Sequence, residues 1–296
     1  MTRHTPLPDE LRRWIADHLP GVDDVTDVSW ARGNSMVWRV AAGADMVFVK
    51  ISPSAREYER EVRGYAHAAR ALIVGTAPRL IAADPDLQAL MSSPLSGRVV
   101  RDLPLTQADE RRVHQQAGHL LRRWHDHSPP ATAHDRAVIR ADVAGQAKEA
   151  AACLEDTAGH LDDAQRALVQ CVVEELPRRT EGMPVVYRHG DHATRNWLFD
   201  AAQDTVGLID FEMAQHGSIA DEFVWLHGAL WTTRPDLKAA HFNGYGRHLD
   251  DDEERLLLLL TARLGVSYLR SGLAKERSDL VERGKLVLTR MTRRAR

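Results

Sequence analysis

Short runs in which apolar and polar residues alternate fill the first third of the chain and predict a small antiparallel sheet. A helix comes first, over Leu7 to Leu19, because its apolar residues recur at three- and four-residue intervals up to Pro20. The charged, alanine-rich stretch from Ser54 to Leu72 predicts a second helix. Turn residues separate five β-prone runs, which cover residues 25–31, 36–41, 46–51, 79–83 and 87–92.

Helical periodicity dominates after Ser93, with a short β region between Val185 and Asp210. The proline-containing segment 128–135 predicts a loop. The chain is therefore predicted to be an α+β protein, with a small β-rich lobe over 1–95 that ends in a hinge and a larger helical lobe over 96–296. The predicted helices of the larger lobe cover residues 107–127, 141–160, 162–179, 219–231, 237–249, 253–271 and 276–293.

Composition narrows the class of protein without identifying it. The 296 residues are 44% apolar and 27% charged, as in an ordinary globular protein, and the net charge of −3 argues against a strongly basic nucleic-acid binder. The two cysteines, Cys153 and Cys171, are too few for a disulfide framework, which favours a cytoplasmic location. Because no apolar run approaches the roughly 20 residues that span a bilayer, no membrane partner is expected.

A predicted β-hairpin brings together two oxygen-bearing side chains. Its β-prone runs, 197–200 and 206–209, pair around Gln203, and in that register Asn196 lies opposite Asp210. A carboxamide and a carboxylate side by side, with room for phosphate oxygens, suit Mg²⁺. Asp191 lies five residues before Asn196, in the loop that leads into the hairpin, where its carboxylate is placed to accept a proton from a hydroxyl.

Two motifs in this region resemble the phosphoryl-transfer machinery of the protein-kinase-like superfamily, and the aminoglycoside phosphotransferase family in particular. They are His189-Gly190-Asp191, with four residues before Asn196, and Ile209-Asp210-Phe211-Glu212. The resemblance implies a bilobal kinase-like fold over nearly the whole chain. It also implies transfer of the γ-phosphate of ATP or GTP to a small molecule, with Asp191 as the base and Mg²⁺ held by Asn196 and Asp210.

The resemblance assigns the remaining parts of the nucleotide site residue by residue. Lys50, at the end of the third β-prone run, matches the lysine that contacts the α- and β-phosphates. Glu61 best matches the glutamate that orients this lysine, although the spacing leaves Glu57 and Glu59 open. The loop that covers the phosphates matches Gly33, Asn34 and Ser35, and the hinge that contacts the base contains Ser92, Ser93 and Leu95.

The second half of the chain is assigned in the same way. His189 and Asp221 match residues that support the catalytic loop, and the candidate acceptor contacts are Glu212, Glu222 and Trp225. The chain departs from protein kinases at Gly190, where those enzymes carry Arg. Only ten residues separate Asp210 from Asp221, too few for a peptide-docking segment. A small hydroxylated acceptor is therefore expected.

The class of acceptor stays open at this point. The resemblance implies an antibiotic of aminoglycoside-like, aminocyclitol or nucleoside type, with resistance as the biological outcome. The alternative is a metabolite kinase that acts on choline, a sugar or an amino alcohol. A nucleotide-binding regulatory module without catalysis is disfavoured, because the base, the lysine and both metal ligands are present. Neither the choice between ATP and GTP nor the oligomeric state can be read from the sequence.

Two charged clusters have structural interpretations. His125-Asp126-His127 ends a predicted helix, so it is interpreted as a helix C-terminus rather than a metal site. The acidic run Asp250 to Glu254 begins a predicted helix, where carboxylates favour the N-terminus.

Overall fold

The computed structural model describes residues 6–29, 36–179 and 182–295. The chain divides into two compact units. Unit 1 comprises Met1–Pro104 and Thr194–Gln215, and unit 2 comprises Leu105–Ala193 and His216–Arg296. The predicted boundary between the lobes, at residue 95, stays a prediction. The two units are defined by contacts within the chain, and unit 1 includes 96–104 and 194–215 together with the N-terminal sheet.

The elements follow one another in an α+β order. The strands are β1 (Asp24–Asp27), β2 (Met36–Ala42), β3 (Asp45–Ile51), β4 (Leu80–Asp84), β5 (Ala89–Ser92), β6 (Arg98–Val99), β7 (Val185–Arg188), β8 (Trp197–Asp200), β9 (Thr205–Leu208) and β10 (Gln215–Ser218). The helices are α1 (Asp9–His18), α2 (Ala55–Ala71), α3 (Gln107–Asp126), α4 (Ala133–Asp156), α5 (Asp163–Arg179), α6 (Val224–Leu226), α7 (Pro235–Tyr245), α8 (Asp251–Ala274) and α9 (Ser278–Ala295). An antiparallel N-terminal sheet with a larger helical C-terminal part confirms the predicted fold class.

Unit 1 is built on a five-stranded antiparallel sheet with the strand order β1-β2-β3-β5-β4. Buried side chains of α1, including Leu11 and Ile15, belong to one apolar core with Trp38 and Val40 of β2. Helix α2 begins at Ser54, whose hydroxyl accepts the N–H of Glu57 as an N-cap. The same core contains Val49 of β3, the residue before Lys50.

The hairpin of β8 and β9 differs by one residue from the predicted register. Asp200 pairs with Thr205, so position 209, not Asp210, is the partner of Asn196, and the Ile209 N–H donates to the Asn196 carbonyl oxygen at 3.0 Å. The loop is one residue shorter than expected because the Asp200 carboxylate accepts the N–H groups of residues 202 and 203. Strand β6 pairs with β8 on its other edge.

Unit 2 contains α3 to α9 and the strand pair of β7 and β10. Only the first residue of β10, Gln215, belongs to unit 1. Helix α4 starts earlier than predicted, within the segment interpreted as a loop. Thr132 and Asp135 form a capping box there, in which each side chain accepts the backbone N–H of the other residue. The acidic start of α8 forms a second capping box, between Asp250 and Glu253, which confirms its interpretation as a helix N-terminus.

Among the described residues, α8 alone is long and apolar enough to cross a membrane by length and composition. Its apolar run, Leu256 to Leu260, is buried within unit 2. A buried core helix meets the same criterion, so this helix is only weak evidence for a membrane span.

Candidate active site

A cavity of about 400 Å³ opens in unit 1 and is lined by that unit alone. Its walls are largely apolar, and its polar side chains come from five separate segments. The apolar lining includes Val37, Phe48, Leu90, Leu95, Leu198 and Ile209, and the polar lining includes Lys50, Glu61, Ser92, Ser93, Asn196 and Asp210. Apolar walls with a few convergent polar groups are typical of a site for a small ligand.

The Lys50 ammonium lies at the centre of three carboxylates. Its Nζ is 2.9 Å from Glu61 Oε2, 3.0 Å from Asp210 Oδ1 and 2.8 Å from Glu212 Oε2. Burial on its own lowers the pKa of Lys50, but the three carboxylates outweigh it and hold the pKa well above the usual value. The lysine therefore stays positively charged and is able to neutralise phosphate oxygens.

Glu61 is the acidic residue of α2 that pairs with this lysine. Glu57 instead accepts from the Ser54 hydroxyl at the start of the helix, and Glu59 is exposed. Burial raises the pKa of Glu61 to about 7, against the opposing effect of the Lys50 charge. The ion pair with Lys50 thus favours the charged form of Glu61, which burial disfavours.

Asp210 has a strained backbone, and the next residue, Phe211, packs against α2. The Asp210 φ of 68° lies in the left-handed region, which is uncommon for a non-glycine residue and clusters at functional sites. Phe211 is fully buried and packs edge-on against Tyr65 of α2, with the ring centroids 5.1 Å apart. A Cβ at Gly64 would lie 2.4 Å from the Cβ of Phe211, so the helix approaches this closely only because residue 64 is glycine.

Replacing Gly64 by Ala is expected to destabilise the protein. The collision with Phe211 costs about 1–3 kcal/mol in overpacking, and the gain in helix propensity of about 1 kcal/mol offsets only part of it. The matched control is Gly145→Ala on α4, where a new Cβ meets nothing within 4 Å. This control is expected to raise the free energy of unfolding by about 0.5–1 kcal/mol. Urea unfolding of both variants measures the difference, and equal effects would contradict the close approach.

The donor set near Asn196 fits a hard cation. Asn196 is buried, and both it and Asp210 line the cavity, so a carboxamide and a carboxylate oxygen reach the same space. In the part of the chain that the structure describes, no group of three or more His, Cys, Asp or Glu residues is arranged to hold a metal ion. Mg²⁺ needs only one or two such ligands, because waters and substrate phosphates complete its octahedron.

The predicted nucleotide-contacting residues fall into two groups. Ser92, Ser93 and Leu95, the residues predicted to form the hinge, line the cavity. The loop Gly33-Asn34-Ser35 lies outside the described residues.

The loop predicted to be catalytic, residues 189–191, belongs to unit 2 and starts where β7 ends. His189 is fully buried beside the Trp124 ring, at a centroid distance of 5.6 Å. Gly190 has a φ of 83°, a conformation that glycine adopts without strain, and Asp191 follows it with a partly exposed side chain.

Glu222 holds this loop, whereas the sequence had assigned the support to Asp221. Oε2 of Glu222 accepts the His189 N–H at 2.9 Å, and Oε1 accepts the Gly190 N–H at 2.8 Å. Burial raises the pKa of Glu222, but the hydrogen bond and charge of His125, with smaller effects of His189 and Arg188, lower it overall. Glu222 is thus an ionised acceptor for two backbone amides.

The neighbouring candidate residues have different surroundings. Asp221 pairs with Arg188 at 3.5 Å, at the end of β7. Glu222 is 3% exposed and engaged by the loop, and Glu212 contacts Lys50 through one oxygen, Oε2. Trp225 lines a cavity of about 230 Å³ within unit 2, beside Tyr268 and two arginines, Arg283 and Arg290.

The side chains that contact and support Glu222 were not predicted from the sequence. His125, interpreted as part of a helix C-terminus, is buried and reaches Glu222, whereas His127 does cap the helix end by bonding the carbonyl oxygen of Arg123. Tyr245, at the end of α7, contacts His125 from the other side. No local pattern signals this contact, since α3 and α7 lie more than 100 residues apart.

Comparison with known proteins supports one family. The model of the phosphotransferase enzyme family matches residues 24–259. No curated protein sequence matches this chain significantly.

Solved structures share the fold over almost the whole chain. A spectinomycin phosphotransferase in complex with ADP and spectinomycin is 14% identical, with a TM-score of 0.67 over 97% of this chain and 100% of the other. The ADP-bound aminoglycoside phosphotransferase APH(2'')-Ib is 14% identical, with a TM-score of 0.68 and coverages of 97% and 98%. The GDP complex of an aminoglycoside 2'-phosphotransferase is 15% identical, with a TM-score of 0.64 and coverages of 98% and 100%. At these identities the likeness concerns the fold, which is that of aminoglycoside kinases.

Proposed function

Because this chain belongs to the phosphotransferase enzyme family and is a small-molecule kinase, we propose that it moves the γ-phosphate of ATP or GTP to a hydroxyl of an antibiotic. The observation that carries the proposal is the Lys50 ammonium, bound to Glu61 and Asp210 inside a cavity that also contains Asn196. A positive charge, two oxygen ligands and apolar walls are the parts that a nucleoside triphosphate requires.

Each of these residues has a distinct task in the proposed reaction. Lys50 binds the α- and β-phosphates, and Glu61 keeps its ammonium in place. The apolar walls and the hinge residues, Ser92 to Leu95, receive the purine. Asn196 and Asp210 would hold Mg²⁺, which neutralises negative charge on the phosphates as the γ-phosphoryl group leaves.

Asp191 orients the acceptor hydroxyl and accepts its proton. The oxygen of that hydroxyl forms a bond to the γ-phosphorus while the bond to the β-phosphate oxygen breaks, so the products are a phosphate ester and a nucleoside diphosphate. Catalysis of this kind rests mainly on positioning and on electrostatic stabilisation.

The charges near the site favour an acceptor with few positive charges. Glu212 and Glu222, the carboxylates expected to meet a polycationic aminoglycoside, are engaged by Lys50 and by the catalytic loop. We therefore propose an aminocyclitol or nucleoside antibiotic, with resistance in the cytoplasm as the biological outcome. One structural neighbour is a spectinomycin phosphotransferase in complex with ADP and spectinomycin.

The test is a phosphate-transfer assay with the purified protein, Mg²⁺ and either ATP or GTP. The acceptor panel contains aminocyclitols, nucleoside antibiotics, aminoglycosides, choline and sugars. We expect nucleoside diphosphate to form in proportion to a phosphorylated aminocyclitol or nucleoside, identified by mass spectrometry.

The other outcomes test the kinase reaction separately from the identity of the acceptor. Transfer only to choline or a sugar would keep the kinase reaction and replace the antibiotic by a metabolite. Nucleotide binding without transfer to any acceptor would favour a regulatory module and overturn the proposal.

A further inference from the structure

A buried chain of hydrogen bonds extends from the catalytic loop into the helices of unit 2. Glu222 Oε2, which accepts the His189 N–H, also lies 3.3 Å from Nε2 of His125. The other ring nitrogen of His125, Nδ1, is 2.9 Å from the hydroxyl of Tyr245. His125 and Tyr245 are only 6% and 2% exposed. Breaking these hydrogen bonds would therefore leave buried polar groups without a partner, which costs free energy.

The chemistry of the groups decides which of them donates to Glu222. Glu222 is an ionised carboxylate and only accepts hydrogen bonds. Nε2 of His125 therefore carries a proton and donates it to Glu222. Nδ1 makes the second hydrogen bond, to the Tyr245 hydroxyl, so both ring nitrogens of His125 are engaged.

Glu222 needs such a partner because of its length. A glutamate side chain has three torsions, and the last is broad, so its carboxylate plane is poorly defined by rotamer preference. To accept from two successive amides, at 2.9 and 2.8 Å, this plane must keep one orientation. His125, on the rigid helix α3, supplies the third contact, and Tyr245 fixes the plane of the imidazole.

We propose that His125 and Tyr245 are positioning residues of this phosphotransferase. They orient Glu222, which fixes the peptide groups of His189 and Gly190 and thereby the carboxylate of Asp191. The inference rests on the proposed role of Asp191 as the base. It extends that role to two helices that share no motif with the loop and that the family match does not single out.

The first test follows the loop itself and needs no acceptor. Amide hydrogen exchange is measured on the peptide that covers 185–193 in the wild type, in His125→Leu and in Tyr245→Phe. We expect the His189 and Gly190 amides to exchange about tenfold faster in His125→Leu and to a smaller extent in Tyr245→Phe. Unchanged exchange at these two amides in both variants would overturn the proposal.

The second test follows the hydrolysis of ATP to ADP and phosphate in Mg²⁺, with water in place of the unidentified acceptor. We expect His125→Leu to lower kcat about ten- to a hundredfold, because a small displacement of a catalytic group is costly. KM for ATP should change less than about twofold, since the nucleotide site lies in unit 1. His125→Gln, whose amide can donate to Glu222 and accept from Tyr245, should recover part of the rate.

A double variant distinguishes positioning from general stability. In the Asp191→Asn background, His125→Leu should lower the residual rate less than about twofold, because the group that it positions is already absent. An equal loss in both backgrounds, or a normal kcat in well-folded His125→Leu, would overturn the proposal. Normal turnover in Asp191→Asn alone would instead overturn the proposed catalytic role of Asp191.

Discussion

Replacing Asp191 by Asn is expected to lower kcat for phosphate transfer about a hundred- to ten-thousandfold. Asparagine has the same size as aspartate and cannot accept the proton of the acceptor hydroxyl. The preceding amides remain held by Glu222, and Gly190 keeps its left-handed conformation, so the loop is expected to keep its shape. The measurement is kcat with saturating ATP and the acceptor identified by the panel.

Two controls distinguish loss of the base from a general effect of the charge change and from weaker binding of ATP. Asp142→Asn makes the same change of charge on the exposed surface of α4 and is expected to leave kcat within about twofold of the wild type. The affinity of Asp191→Asn for ATP, measured by calorimetry, should also stay within about twofold. If Asp191→Asn retained near-normal turnover, another residue would have to act as the base.

The residues of the proposed nucleotide site each have a local signal in the sequence. A lysine that ends an apolar strand and a glutamate on the amphipathic helix that follows are both visible as patterns. The structure joins them, with Lys50 Nζ 3.1 Å from Glu61 Oε1. The resemblance favoured Glu61 and left Glu57 and Glu59 open. In the structure Glu61 pairs with Lys50, whereas Ser54 starts the helix and engages Glu57 as part of its cap.

The errors lie where side chains set the backbone geometry. The hairpin register shifted by one residue because Asp200 caps its loop, a contact that β-propensity does not contain. Glu222, the neighbour of the predicted Asp221, accepts the loop amides, and the segment Ile219–Phe223 is a tight 3₁₀ turn. Successive side chains in such a turn point in directions about 120° apart, so adjacent acids face different surroundings.

The contact of His125 with Tyr245 could not be predicted from the sequence for a different reason. It depends on how α3 packs against α7, and tertiary packing of this sort leaves no periodic signal in the sequence. The charged ending of α3 favoured a solvated helix terminus, which describes His127 but not the buried His125.

Asp210→Asn is expected to lower kcat about a thousandfold, through loss of an anionic ligand for Mg²⁺. Asn is the most suitable replacement, because it tolerates the φ of 68° better than most other residues. Lys50 keeps Glu61 and Glu212 as ion-pair partners, so the cavity should stay folded. The carboxamide still offers one oxygen, and raising the concentration of Mg²⁺ should therefore recover part of the rate.

The measurement is kcat as a function of Mg²⁺ concentration, with Asp200→Asn as the matched control on the same hairpin. Asp200 accepts two loop amides, and asparagine offers the same carbonyl oxygen, so this control should match the wild type within about twofold. A parallel loss of activity in both variants would point to damage of the hairpin. A loss in Asp210→Asn that does not respond to Mg²⁺ would assign Asp210 to the charge balance of Lys50 instead of to the metal.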